Sequence, residues 1–446
     1  MSLPPASYPP SAPSRPPSGS SRPPSRRKLL FVADLFPYPL DRGQHVRVQN
    51  LLAACGRACD VTFVGPAPAP DVDRREVEQY CSRMVYLAAP NAPWRKRLSD
   101  LARTARLAPG VPWPATLRRN EAFVAALSEV RPETFDLVWA ERPHIARLCA
   151  DFRSRTIIDL DDIEHVKVAR RFRIQKKAAE RAHSAYRYML FRHLELSWSR
   201  QFLASVVCSE NDRSYLVRHG CRNAIVVPNG PGSGSMDRRP VRRRRDPTAP
   251  LRIAFLGNVD SVPNADAIAW FADDILPALR EHFPEAILDV IGPGATPAIR
   301  ERYASRAHFR GFVDDLGAAL AEYDLLVAPL RFGGGTKLKV LDAMAHGVPV
   351  VTSSVGAEGL SLTNGEHVLL ADDVAETVQG IRSIKRDPEL ADRLVANAFA
   401  IVRDLFSWDT IQNRLADWLR ELQPRAQSES RIRAIEDVAH RLQRRS

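Results

Sequence analysis

The sequence predicts an α/β protein built from two Rossmann-like, doubly wound domains facing across a cleft. Three observations carry this. The chain has 446 residues, more than one hydrophobic core usually organises. Short runs of Val, Ile and Leu recur with helix-length segments between them, as parallel strands buried on both faces do. That rhythm breaks at "PGSGSMDRRPVRRRRDPTAP" (231–250), a Gly, Ser, Arg and Pro composition typical of linkers, and then begins again.

Taken in order, residues 1–27 are Pro- and Ser-rich, lack the apolar segment of a secretion signal, and read as a disordered basic tail of a cytoplasmic protein. The first domain is expected over 28–232, with strands at "KLLFVA" (28–33), "DVTFVG" (60–65), "DLVWA" (136–140), "RTIIDL" (155–160), "SVVCS" (205–209) and "AIVVPNG" (224–230). A basic linker fills 233–249. The second domain is expected over 250–421, with strands at "LRIAFLG" (251–257), "AILDVIG" (286–292), "HFRGFV" (308–313), "DLLVAPL" (324–330), "VPVV" (348–351) and "HVLL" (367–370). Residues 422–446 suit a basic helix or tail. In such folds a ligand sits at the carboxyl ends of the strands, here in the cleft between the domains.

Hydrophobic residues make up 45% and charged residues 26%, which fits a water-soluble globular chain, and no uncharged apolar run nears the ~18 residues of a membrane span. Six scattered cysteines form no CxxC pair and read as reduced structural thiols, with no metal site. The net charge of +12 is uneven: residues 1–250 hold 42 Lys/Arg against 24 Asp/Glu, whereas 251–446 hold 22 against 28. A basic first half favours an anionic partner. Nucleic acid is set aside, because no helix-turn-helix, zinc or RNA-reading motif is present. Residues 165–202, basic with interleaved aromatics, read either as a helix pair on an anionic membrane surface or as a solvated helix face.

The segment "RFGGGTKLKVLDAMAHGVPVV" (331–351) carries the chemistry. Gly333, Gly334 and Gly335 permit a tight turn and a close ligand approach, and Thr336 offers a cap for a helix running to His346. Lys337 and Lys339 fall in its first turn. A lysine at the positive end of a helix dipole is unfavourable without an anion, so the arrangement suits phosphate, with a solvated helix start as the alternative.

Several stretches together resemble the family 4 retaining glycosyltransferases of the GT-B architecture, of the bacterial exopolysaccharide and cell-envelope type. These are "FLGNVDSVPNADAIAWF", "ILDVIGPG", "HFRGFVDDLGAALAEYDLLVAPLRFGGGTKLKVLDAMAHGVPVVTSSVGAEGL", "FSWDTI" and, more loosely, "FVADLFPYPLDRGQHVRVQNLL". The resemblance implies a metal-independent hexosyltransferase that takes a nucleotide-sugar donor to a glycan or lipid-linked acceptor, with no bound cofactor. A nucleotide-sugar epimerase and a non-catalytic sugar-nucleotide or glycan binder are the alternatives. It implies that Gly333, Gly334, Gly335 and Thr336 offer N–H groups to the diphosphate, with Lys337 adding charge. Asp342 takes the place of the second glutamate of an E-x7-E motif that accepts the ribose hydroxyls; a pair with Lys339 is the competing reading. The first glutamate is replaced by Gly334, and a basic pair of the family by Asn258 and Asn264, so Arg331, Lys337 and Lys339 are expected to supply the charge. Phe312 and Val313 fall where the base is read, Glu358 near the ribose or donor sugar, and Gly43 where the first domain approaches the phosphate. His165, with Asp161 and Asp162 in "DLDDIEH", is a candidate catalytic contact or a structural histidine. The Asp-x-Asp pattern there also occurs in metal-binding GT-A transferases, a reading set aside because of the second Rossmann repeat.

Overall fold

A computed structural model describes residues 26–40, 43–87, 114–174, 178–232 and 249–422. The expected linker and both tails lie almost wholly outside the described residues. Two parallel sheets form, each with a helical layer on both faces. The first runs β3-β2-β1-β4-β5-β6-β7, comprising β1 (Lys28–Val32), β2 (Asp60–Gly65), β3 (Arg83–Tyr86), β4 (Leu137–Glu141), β5 (Thr156–Asp161), β6 (Ala204–Val207) and β7 (Ala224–Val226). The second runs β10-β9-β8-β11-β12-β13, comprising β8 (Arg252–Leu256), β9 (Ile287–Ile291), β10 (Ala307–Gly311), β11 (Leu325–Ala328), β12 (Val350–Thr352) and β13 (Leu369–Leu370). In each sheet the strand order reverses at the first strand, which opens a crevice there at the carboxyl ends.

The strands form where expected because their residues are buried on both faces. Leu29 to Val32 are wholly buried, and so are Leu325 to Ala328. Phe31 stacks on Trp139 at 5.9 Å between centroids, filling one face of the first sheet. Two departures have local causes. The strand expected to reach Gly230 ends at Val226: Val227 N–H donates one more backbone bond, to Val207 O at 2.9 Å, and Pro228 has no N–H to continue the ladder. The edge strand β3 was not expected, because "RMVY" is short and alternates poorly, burying only Val85.

The helices that bear on the site are α1 (Gly43–Ala58), α2 (Glu164–Ile174), α3 (Ala178–Gln201), α4 (Glu210–Arg218), α5 (Val262–Trp270), α6 (Leu338–Ala345) and α7 (Trp408–Glu421). The last corrects the expected domain boundary at 421. Ile411, Leu415 and Leu419 belong to the core of the first domain, with Leu51, Val61 and Trp139. Gln412 Nε2 donates to Asn50 Oδ1 of α1 at 2.6 Å, and Arg27 donates to the carbonyls of Leu419 and Leu422 at the end of α7. The chain therefore crosses between the domains twice, and α7 belongs to the first. None of the helices among the described residues is long and apolar enough to cross a membrane.

Candidate active site

The glycine loop between β11 and α6 faces the first domain directly. Gly335 has φ +70°, a left-handed conformation, and a side chain there would collide with the Asp162 carboxylate. A side chain at Gly334 would collide with Lys167 of α2. Gly333 O accepts from Arg170 of α2 at 2.6 Å. The loop is thus bare because α2 leaves no room for side chains. Gly43, at the start of α1, meets the same region from another side: a Cβ there would lie 2.6 Å from Leu338 of α6.

Helix α6 begins at Leu338, one turn-position later than expected, with Lys337 at its cap. Thr336 is therefore not the cap, and its Oγ1 is buried with no hydrogen-bond partner. Lys337 is buried and Lys339 half-buried. Lys337 Nζ folds back to donate to Gly335 O at 2.7 Å, and burial pushes its pKa down. Lys339 Nζ donates to Asn264 Oδ1 at 2.6 Å and lies 4.1 Å from the Phe255 ring centroid. Burial first, and then the Lys337 charge, bring Lys339 down to about 7. One buried and one half-buried lysine, an unpartnered hydroxyl and bare backbone surround one short loop.

The remaining expected residues divide. Asp342 is buried on α6, and its Oδ1 accepts from Gly232 N at 2.7 Å, which ties the interdomain crossing to the second domain, while Lys339 Nζ turns to Asn264. Glu358 forms a two-pronged ion pair with Arg170, both contacts at 2.6 Å. Asn258 stabilises its own loop, its Oδ1 accepting from Asp260 N at 2.9 Å and its O from Asn264 Nδ2 at 2.8 Å. Phe312 is 66% exposed at the end of β10, while Val313 packs on the apolar cluster beneath α6. Arg331 is directed away: it pairs with Asp266 at 2.5 and 2.9 Å and lies over Trp270, so it does not supply charge to the loop.

His165 is also corrected. It is fully buried, with Nδ1 2.5 Å from Glu195 Oε2 and Nε2 2.8 Å from the Tyr215 hydroxyl. Both ring nitrogens are spent on joining α2 to α3 and α4, so it positions α2 rather than touching a ligand. In "DLDDIEH", Asp159 and Asp161 face inward to cations: Arg47 bonds Asp159 at 2.8 and 3.1 Å, and Asp161 lies 3.5 Å from both Arg47 and Arg142. Asp161, Asp162 and Cys208 come close enough to bind an ion together, but Asp161 is already held by these guanidinium groups, with its pKa lowered, and Asp162 by Lys167 at 3.4 Å. This donor set does not suit a metal.

Sequence reasoning missed Lys167, Arg170 and Asp212. Lys167 and Arg170 were hidden in the basic stretch, although their i, i+3 spacing just after a strand end places both on one helix face. Asp212, on α4, accepts from Ser209 Oγ at 2.6 Å, and burial raises its carboxyl to about 6. Two cavities meet at α2. A polar one of about 280 Å³ is lined by Asp162, Arg170, Asp212, Gly334, Gly335 and Glu358. Another of about 820 Å³ runs between α2, α3 and the start of α5.

Residues 250–387 match a family model described as Glycosyl transferases group 1. Phosphatidyl-myo-inositol mannosyltransferase of Mycobacterium leprae (strain TN) is 26% identical over 233 residues, 51% of this chain and 61% of that protein. Glycogen synthase of Mycobacterium tuberculosis is 30% identical over 242 residues, 50% of this chain and 56% of that protein. The chain spans under two thirds of the length of these curated relatives. Sucrose-phosphate synthase from Thermosynechococcus elongatus superposes with a TM-score of 0.64 at 18% identity, over 89% of this chain and 99% of that one. Anabaena HepE, solved in complex with UDP-glucose, superposes with a TM-score of 0.57 at 17% identity, over 89% and 100%. The fold is that GT-B arrangement of two Rossmann-like domains.

Proposed function

We propose that this protein is a glycosyltransferase that moves a hexose from a nucleotide-sugar to a glycan or lipid-linked acceptor, with retention of configuration and without a metal ion, in exopolysaccharide or cell-envelope synthesis. The observation that carries the reading is the buried Lys337 and half-buried Lys339 at the bare glycine loop, neither bonded to a carboxylate among the described residues. Burying an ammonium group without an anion is costly, and a phosphate at the start of α6 offsets that cost. The match of the second domain to a glycosyltransferase family model and the UDP-glucose complex of HepE support the same ligand class.

In this reading Lys337, Lys339, the loop N–H groups and Thr336 Oγ1 hold the diphosphate and stabilise the charge that grows on it as the sugar bond breaks; each such group typically contributes roughly 3 to 4 kcal/mol. Asp342 takes the ribose hydroxyls beside its bond to Gly232, Phe312 and Val313 flank the base, and Gly43 admits the phosphate beneath the first domain. Asn258 shapes the loop. Front-face displacement, in which the leaving phosphate helps to deprotonate the acceptor, requires no protein nucleophile. The basic, partly apolar outer face of α3 serves reversible attachment to an anionic bilayer, close to a lipid-linked acceptor.

The test is calorimetric titration with UDP, GDP, ADP, CDP and TDP, followed by assay of nucleoside diphosphate release from the matching nucleotide-sugars with and without glycan acceptors. Binding together with acceptor-dependent release is expected. Binding with acceptor-independent turnover of the sugar would favour an epimerase, and no binding would remove the reading.

A further inference from the structure

We propose that Arg170, a residue of the first domain, is a binding group for the donor's diphosphate, held in reserve by Glu358 until the nucleotide arrives. This rests on the reading of the loop as a nucleotide-sugar site. Three facts lead to it.

The first is charge balance around the glycine loop. Lys167 is answered by Asp162 at 3.4 Å and Glu164 at 3.0 Å. Arg170, Lys337 and Lys339 remain, and among the described residues Glu358 is the carboxylate that pairs with them: it takes Arg170, while Lys337 bonds a carbonyl and Lys339 a side-chain amide. Neither lysine bonds a carboxylate among the described residues, so a diphosphate supplies the anion that Lys337 lacks and favours the protonated form of Lys339.

The second is reach. Arg170 bonds the carbonyl of Gly333, so its guanidinium already lies on the loop on which the diphosphate would rest. It is also close enough to Lys337 to repel it, as Glu358 is to attract it. The three side chains share one small volume, and the Arg170–Glu358 pair is only about two-thirds buried, so either member can rotate out of it. A planar guanidinium fits two phosphate oxygens as well as it fits two carboxylate oxygens.

The third is position. Arg170 lines both the 280 Å³ and the 820 Å³ cavities. Its pair with Glu358 is a strap between them. An incoming diphosphate repels Glu358 and offers Arg170 a partner of higher charge. The exchange moves Arg170 onto phosphate, frees Glu358 to accept hydroxyls of the donor sugar, and joins the two cavities where donor and acceptor must meet. Donor binding thus replaces one of the contacts that already hold α2 against the loop, so occupancy and the interdomain contact are coupled through one side chain.

The experiment compares the full chain with Arg170→Ala, Arg170→Lys and Glu358→Gln, titrating whichever nucleoside diphosphate the parent binds most tightly, together with its nucleoside. Arg170→Ala is expected to weaken the diphosphate at least tenfold and to leave the nucleoside unchanged, with Arg170→Lys recovering part of the loss. Glu358→Gln is expected to tighten the free diphosphate severalfold, because it removes the competing carboxylate. If Arg170→Ala leaves affinity within twofold while lowering the melting temperature, the residue is only a domain latch and the proposal fails. It also fails if Glu358→Gln weakens the diphosphate as much as Arg170→Ala does. A parent chain that binds none of the diphosphates would overturn the proposed function itself; a parent that binds and an indifferent Arg170 would overturn this inference alone.

Discussion

Lys339 lies under the glycine loop, where burial and the Lys337 charge both act against protonation and bring its pKa to about 7. At pH 8 the empty site therefore holds it mostly neutral. A bound diphosphate favours the ammonium and raises that pKa, so binding at pH 8 takes up protons, approaching one per site. Calorimetry in buffers of different ionisation enthalpy should show this uptake, and Lys339→Met should abolish it. Arg47 offers a contrasting prediction about stability. It is 2% exposed and bonds Asp159, Val227 O and Asn229, joining α1 to the ends of β5 and β7. Arg47→Met leaves the buried Asp159 carboxylate without its main cation and should cost about 3 to 5 kcal/mol in urea unfolding, without contact to the nucleotide. At this scale the sequence was partly legible. Glycines and lysines in fixed order after a strand have few other uses, so the loop could be read. The partners of Asp342, Arg331 and His165 could not, because Gly232, Asp266 and Glu195 come from distant segments and only the fold brings them together.

Helix α3 shows how an element's surroundings decide its use. Its inner side carries Ser184, Glu195, Leu196 and Ser199, all buried, and Glu195 fixes His165 and the start of α2 through the backbone N–H of Glu164. Its outer side presents Tyr186, Met189, Arg192 and His193, with Met189 64% exposed. The alternation of buried polar and exposed apolar residues explains why "HVKVARRFRIQKKAAERAHSAYRYMLFRHLELSWSRQF" allowed two readings: its periodicity is blurred by the polar joint to α2. Exposed basic residues near an anionic bilayer contribute about 1 kcal/mol each, and a methionine that enters the interface adds apolar burial. Co-sedimentation with vesicles of phosphatidylglycerol and phosphatidylcholine is expected at low salt and to decline as salt rises. Met189→Glu with Tyr186→Glu should reduce it severalfold while leaving nucleoside diphosphate affinity unchanged. Equal sedimentation of parent and variant would place any attachment elsewhere. The other element-scale lesson concerns boundaries. The strand ends were legible where apolar runs stop, but β3 was not, because an edge strand with one buried residue leaves almost no pattern to detect.

At the scale of the molecule, the two sheets were legible because each repeats the same buried-strand rhythm, while the second crossing was not. "FSWDTIQNRLADWLREL" is an amphipathic helix in any context, and nothing in its pattern names the surface that it covers. The structure puts α7 on α1: Ile411, Leu415 and Leu419 enter the first domain's core, Trp408 Nε1 donates to Pro231 O at 2.9 Å beside the first crossing, and Arg57 pairs with Asp409 at 3.2 Å. The first domain thus completes its core only after the second has been synthesised, and the two crossings lie side by side as a hinge. Leu419→Ala should therefore destabilise the first domain by about 2 to 5 kcal/mol, although the residue follows the second domain in sequence. A chain ending at residue 406 should go further. It leaves the apolar surface of α1 uncovered, removes the partners of Arg27, and frees the hinge. Limited proteolysis is expected to degrade residues 26–232 in that truncated chain while a fragment near 250–406 persists. Adding back a synthetic peptide of residues 407–422 should restore protection of the first domain. If the truncated chain instead resists proteolysis throughout, the first domain's core does not depend on α7, and the assignment of this helix to it must be withdrawn.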